Sequence, residues 1–202
     1  MHIAVKANQQ QKAAFLLKPV SSNCIISWCS NEFIDADVYF DLLFEEESAA
    51  FANISAKPVF VNAVVETCKL LPANFIRLNA WNGFLERDIV EVAAHHNMQS
   101  AVSEILRKLG WNFIFVPDEP GMITARIVCM IINEAYFALE DNVSTKNEID
   151  IAMKLGTNYP YGPFEWSEKI GLKKVVDLLK KLNENDSRYL VSAKLESEMK
   201  LQ

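Results

Sequence analysis

The sequence predicts a layered α/β domain followed by an all-helical one. Three observations carry this. Up to about residue 117, short and nearly continuous apolar runs alternate with helix-period segments, as buried parallel strands and their crossovers do. The stretch "PDEPG" (117–121), with two prolines and a glycine, then interrupts the pattern as a turn or hinge. Everything beyond it has helical periodicity. The boundary is therefore set at Pro117, giving domains 1–117 and 118–202.

In chain order, "IAV" (3–5), "CIISW" (24–28), "VYFDLLF" (38–44) and "PVFVNAV" (58–64) are expected strands, with helices over "QQKAAFLLK" (10–18) and "EESAAFANIS" (46–55). "FIRLNAW" and "IVEVAAH" add two strands around a turn at Asn82 and Gly83. "QSAVSEILRKLG" carries a helical stripe of Ala101, Val102, Ile105, Leu106 and Leu109, and Gly110 stands where a C-terminal cap belongs. "NFIFV" is the last strand. One link resists a regular parallel sheet. Only residues 29–37 join the second and third strands, whereas a parallel crossover takes a dozen or more residues. Either that crossover is extended or a strand is misassigned.

In the second domain "MITARIVCMIINEAYFALE" is apolar around most of its circumference and reads as a buried helix. Thr145 and Glu148 are spaced as a capping box that opens a helix closed by Gly156. "YPYGPFEW" reads as a rigid loop, "GLKKVVDLLKKL" as an amphipathic helix, and a last helix is expected within "SRYLVSAKLESEM".

Composition bounds the function. The chain has 202 residues, half of them apolar and 23% charged, with a formal net charge of −6. An acidic balance disfavours nucleic acid as a partner. No apolar run is long enough to span a bilayer. "MHIAVKANQQQ" lacks the basic and apolar regions of a signal peptide. Cys24, Cys29, Cys68 and Cys129 are scattered, with no C-x-x-C pair for zinc or a disulfide framework. These features together point to a cytoplasmic protein. His95 and His96 are adjacent and, if extended, point to opposite faces, so no metal site is expected. The acidic run Glu45, Glu46 and Glu47 reads as a solvated helix start, and Trp166 as a packing residue.

"PGMITARI", "NEAYFAL", "EIDIAMKLGTNYPYGPFEW" and "IGL" occur in an order that resembles the C-terminal domain of the 3-hydroxyacyl-CoA dehydrogenases, over about residues 117–182. Upstream, "VNAVVE" and "IRLNAWNGFLERDIVEVA" resemble the later part of that family's nicotinamide-binding domain, while the first fifty residues match only in the order of elements. The resemblance implies a reduced Rossmann-like domain followed by an all-α domain that makes a homodimer. It also implies an active site between the domains, NAD as hydride carrier, a His–Glu pair as base, and Ser and Asn side chains on the substrate oxygen.

The residues do not supply that chemistry. Dinucleotide binding needs glycines after the first strand, for a tight turn and close approach of the backbone to the pyrophosphate. Here "KANQQQK" follows, with Ala7, Gln9 and Lys12 in the loop, and no glycine precedes Gly83. The ribose-binding acid has no clear counterpart in "SWCSN", where Ser30 and Asn31 precede Glu32. By the resemblance, Asn79 replaces the catalytic histidine, Val64 the serine and Ala125 the substrate asparagine, while Glu91, Asn82 and Arg126 are kept. An amide cannot act as a general base near neutral pH. Asn62, Asn79, Asn82, Glu91 and Arg126 remain as cleft residues.

The expectation is a non-catalytic relative: a dimeric binding or regulatory protein for an acyl-CoA-type ligand, with no cofactor. The alternatives are an active NAD-dependent oxidoreductase of fatty acid metabolism with an altered site, and a purely structural interaction module.

Overall fold

The structure is a computed structural model, described over residues 1–29 and 34–201. It divides into two compact units, Met1–Met122 and Ile123–Gln202. The turn at 117–121 goes with the first unit, since Gly121 N–H bonds the Val64 carbonyl at 2.8 Å.

The first unit is built on one sheet of seven strands: β1 (His2–Lys6), β2 (Ile25–Trp28), β3 (Val38–Asp41), β4 (Val59–Asn62), β5 (Phe75–Leu78), β6 (Ile89–Ala93) and β7 (Asn112–Phe115). Their order is β2-β1-β3-β4-β5-β6-β7. β1 to β5 are mutually parallel, β6 runs antiparallel to β5, and β7 is parallel to β6. Every residue of β3, β4 and β5 is buried, which is why these strands read as continuous apolar runs. β2 and β3 both pair with β1, on its two sides. The strands were therefore assigned correctly; of the link between them, residues 30–33 lie outside the described residues, and residues 34–37 are not helical.

One face of the sheet is covered by helices α1 (Gln9–Leu17) and α2 (Gln99–Leu109). Phe15 of α1 packs edge-on against Phe40 and Trp111 at 5.4 and 5.0 Å, and Phe40 stacks on Phe60 at 4.6 Å. Such pairs add about 0.5–1.5 kcal/mol each beyond area burial. α2 ends at Gly110, whose φ of 88° only glycine adopts freely. Alternate strand residues point the other way, so Tyr39, Val59, Val61 and Phe75 form a second cluster beneath Phe51, Ile54 and Leu71. The expected helix over 46–55 does not form. That segment is a series of turns held to the sheet by Phe51 and by side-chain bonds described below.

The second unit holds α3 (Thr124–Glu140), α4 (Lys146–Thr157), α5 (Pro163–Ile170), α6 (Leu172–Asn183) and α7 (Ala193–Met199). The capping box of α4 is present, with Thr145 and Glu148 exchanging bonds. The helix does not stop at Gly156; it runs to Thr157 and is closed by Asn158 in the left-handed conformation, φ 54°. Nor is "YPYGPFEW" a loop throughout: α5 starts at Pro163, the position where a missing N–H is harmless. Asp150 of α4 caps it, accepting Phe164 N–H at 2.8 Å and Glu165 N–H at 3.2 Å. A β-carbon on Gly162 would lie 2.3 Å from that carboxylate, which explains the glycine. The expected last helix is split into a short 3-10 turn, Ser187–Tyr189, and α7.

Candidate functional site

In open parallel sheets, ligands bind beyond the C-terminal ends of the strands, where the strand order reverses. Here that point lies between β1 and β3. Lys6 and Asp41 face each other there in register. Lys6 Nζ pairs with Glu47 at 2.7 Å. Asp41 is 1% exposed; its Oδ2 accepts Ala50 N–H at 2.9 Å, and its Oδ1 has no hydrogen-bond partner among the described residues. Burial holds its carboxyl above the usual carboxylate range, outweighing the Ala50 N–H and the Lys6 charge. Gln11, buried, donates to the Leu42 carbonyl at 2.6 Å and so bridges α1 to the turn after β3.

The N-terminus of α1, where the resemblance would place a pyrophosphate, carries a capping box. Asn8 Oδ1 accepts Gln11 N–H at 2.8 Å, and Gln11 Oε1 accepts Asn8 N–H at 3.1 Å. Ala7 is half-buried beside it, Gln9 is exposed, and Lys12 Nζ lies 4.7 Å above the Trp28 ring. No glycine brings the backbone close at this turn, and Gln11 N–H at the start of α1 is already taken by Asn8.

The turns after β3, β4 and β5 converge on Glu45. Its Oε1 accepts Val64 N–H at 2.6 Å and Val65 N–H at 2.7 Å; its Oε2 accepts the Trp81 indole N–H at 2.7 Å. Glu45 is thus a half-buried bridge and not the solvated helix residue that its acidic neighbours indicated. Behind it, Arg77 is fully buried and donates to Ala63 O (2.9 Å), Val64 O (3.0 Å), Glu119 O (3.1 Å) and Asp118 Oδ1 (2.7 Å). Burial works against charge on Asp118, but Cys68 N–H and the guanidinium outweigh it and hold the carboxyl below its ordinary value. Burial, with Asp118 nearby, pushes the Cys68 thiol up to about 12, so it stays a thiol.

The expected cleft residues are placed as follows. Asn62 is fully buried, donates to Leu42 O at 3.2 Å and accepts Ala80 N–H at 3.0 Å. Asn79 lies directly opposite Glu91 across the β5–β6 ladder, with Asn79 N–H on Glu91 O at 3.2 Å; both side chains are buried and share one face of the sheet. Asn82 leaves this pair and donates to Gln10 at 3.0 Å. Val64 offers its backbone, not its side chain. Ala125 and Arg126 belong to the second unit: Ala125 is buried in α3, and Arg126 lies 5.8 Å from the Tyr189 ring. Ser30, Asn31 and Glu32 lie outside the described residues. His95 and His96 sit in the turn before α2, and no group of His, Cys, Asp or Glu among the described residues is placed to hold a metal ion. Trp166 is buried and meets Tyr161 edge-on at 4.9 Å. Sequence reasoning missed Arg77, although a lone cation inside "FIRL" signals a buried charge that must have partners.

Comparison with known proteins agrees with these elements. Residues 121–200 match the family model described as "3-hydroxyacyl-CoA dehydrogenase, C-terminal domain". A 3-hydroxyadipyl-CoA dehydrogenase of Escherichia coli (strain K12) is 42% identical over 86 residues, covering 42% of this chain and 18% of that protein. A 3-hydroxybutyryl-CoA dehydrogenase of Bradyrhizobium diazoefficiens is 34% identical over 124 residues, covering 58% and 42%. The chain thus spans less than half the length of these two relatives. The crystal structure of (S)-3-hydroxybutyryl-CoA dehydrogenase PaaH1 from Ralstonia eutropha aligns with a TM-score of 0.72 over 99% of this chain and 93% of that one. At 17% identity this establishes a shared fold.

Proposed function

We propose that the chain, whose residues 121–200 match the C-terminal domain of the 3-hydroxyacyl-CoA dehydrogenases, is a member of that family without hydride transfer: a cytoplasmic, dimeric binding or regulatory protein for an acyl-CoA-type ligand. The observation that carries this is the stitched C-terminal edge of the sheet. Gln11 and Asn62 spend on internal bonds the donors and space that a dinucleotide requires. Asn79 adds no base opposite Glu91.

Dimerisation is supported by apolar surface on the second unit. α6 buries its whole apolar face, whereas α3 buries Ala125, Cys129, Ile132, Ala135 and Tyr136, leaves Val128, Met130, Ile131 and Phe137 half-buried and exposes Ile127. The most exposed apolar helix surface is on α4, where Asp150 is the one buried residue, Ile151 is exposed and Leu155 is 83% exposed. An apolar helix face of this kind is usually covered by a second copy across a two-fold axis.

The second reading is an active NAD-dependent oxidoreductase of fatty acid metabolism. It is favoured by the dehydrogenase names of the relatives and by the retained Glu91 and Asn82. Calorimetric titration with NADH separates the two: the first expects no heat at micromolar protein, and the second expects saturable binding with oxidation of NADH by a 3-oxoacyl-CoA. A thermal shift with acyl-CoA compounds, and none with NADH, supports the binding role. No shift with any of them leaves the interaction module.

A further inference from the structure

Val64 N–H, Val65 N–H and the Trp81 indole N–H converge on a single carboxylate, at 2.6, 2.7 and 2.7 Å. Consecutive backbone N–H groups aimed at one oxygen form an anion-binding concavity. What orients them is not Glu45. The carbonyls of the same turn, Ala63 O and Val64 O, are turned the opposite way onto Arg77 Nε and Nη2, and Val64 O also takes Gly121 N–H at 2.8 Å. Trp81 is fully buried, so its indole is fixed by packing. The donors are therefore preorganised by groups behind them. Glu45, by contrast, is half-buried on the turn-rich stretch between β3 and β4.

We propose that these three donors form a carboxylate receptor that Glu45 occupies as a tethered ligand, and that a monocarboxylic acid takes the same place when Glu45 swings out. The chemistry needs one carboxylate with a short apolar tail, because Val64 and Trp81 are buried apolar residues and the donors carry no formal charge. A short tether supplies an effective concentration of millimolar order. The free acid therefore competes weakly in the native protein and strongly once the Glu45 carboxylate is removed. This stands whether or not the chain takes NAD, since it concerns a different set of donors from those at α1.

The test uses the full chain and sodium acetate or propionate, with sodium chloride at equal ionic strength as control. Glu45→Ala is expected to lower the unfolding midpoint. Acetate should then restore it with the logarithm of its concentration. Acetate should also move the Val64 and Val65 amide and Trp81 indole resonances, with an affinity at least tenfold above that of the unmodified protein. Adding Trp81→Phe should weaken that binding without abolishing it. If Glu45→Ala does not fold, Glu45→Gln is titrated in its place; it keeps the side-chain volume but opposes an N–H₂ to the donors. Equal acetate responses in unmodified and variant proteins, or variant amide resonances that move no further in acetate than in chloride, overturn the proposal.

Discussion

Replacing Arg77 by Met tests whether the buried guanidinium, and not apolar packing alone, holds the turns of the first unit in place. Met keeps much of the apolar stem. It removes donors to Ala63 O, Val64 O, Glu119 O and Asp118 Oδ1 at 2.7–3.1 Å. Removing one member of a buried charged pair typically costs about 3–5 kcal/mol. The Asp118 side chain is 28% exposed, so water recovers part of its charge, and the lower end applies, about 3 kcal/mol. Against a domain stability of roughly 5–15 kcal/mol this is a large fraction. With a urea m-value of about 1–3 kcal/mol/M, the midpoint falls by roughly 1–3 M. The assay is urea unfolding followed by circular dichroism and tryptophan fluorescence. Trp28, Trp81 and Trp111 report the first unit and Trp166 the second, so separate transitions can be told apart. Asp118→Asn in the Arg77→Met background should add little, because the partner has already gone. A midpoint change under roughly 0.3 M would refute the reasoning, since it would mean that the four acceptors are as well served by water.

Four further outcomes are expected. Gly162→Ala should destabilise the second unit by about 1–3 kcal/mol, because the new β-carbon meets the Asp150 carboxylate; circular dichroism melts check it. Acid titration of stability should show two opposed carboxylates. The raised Asp41 makes stability increase as pH falls through its folded value toward the unfolded value near 3.9. The depressed Asp118 makes it decrease as pH falls below that, and Asp41→Asn and Asp118→Asn should each remove one limb. Asn79→His restores an imidazole opposite Glu91 but should not create NADH oxidation with a 3-oxoacyl-CoA, because the crevice at α1 remains filled; measurable turnover would revive the oxidoreductase reading. Leu155→Asp, on the exposed face of α4, should convert a dimer to a monomer by light scattering without lowering the melting point of the helical unit measured at the lowest concentration.

Much of the scaffold was legible because local and tertiary signals agreed. α2 ended at Gly110, α4 opened at its capping box, and the seven strands stood where apolar runs predicted them. The failures share a cause. Residues 46–55 are rich in Ala and Glu, so helix propensity favours a helix, but propensity is a weak prior. Here Ala50 N–H bonds Asp41, Glu47 pairs with Lys6, and Phe51 packs on the sheet; a helix could not keep all of these ties. "YPYGPFEW" looked like a loop because Pro and Gly were read as breakers, when Pro163 is a helix start and Gly162 makes room for Asp150. The differences from the family's site residues were legible as residue types, Val64, Asn79 and Ala125. The Glu45 receptor was not, because two of its three donors are backbone N–H groups, which any sequence possesses.

That asymmetry bears on how such a chain keeps its fold. The turns beyond a parallel sheet expose backbone N–H groups that a bound ligand satisfies in an enzyme. When no ligand is held, those donors must find protein partners or water, since a buried unpaired N–H costs free energy comparable to a lost hydrogen bond. Here the partners come from side chains: Asn8 for Gln11, Glu45 for Val64 and Val65, and Asn62 for Ala80. Each lies in a turn leaving β1, β3 or β4, or at a strand's last residue. A chain that replaced glycines and catalytic groups without these partners would leave orphaned donors at the same edge. It follows that Asn8, Glu45 and Asn62 matter for stability more than their polar character indicates, and that placing glycine at Asn8 would remove the cap on Gln11 N–H.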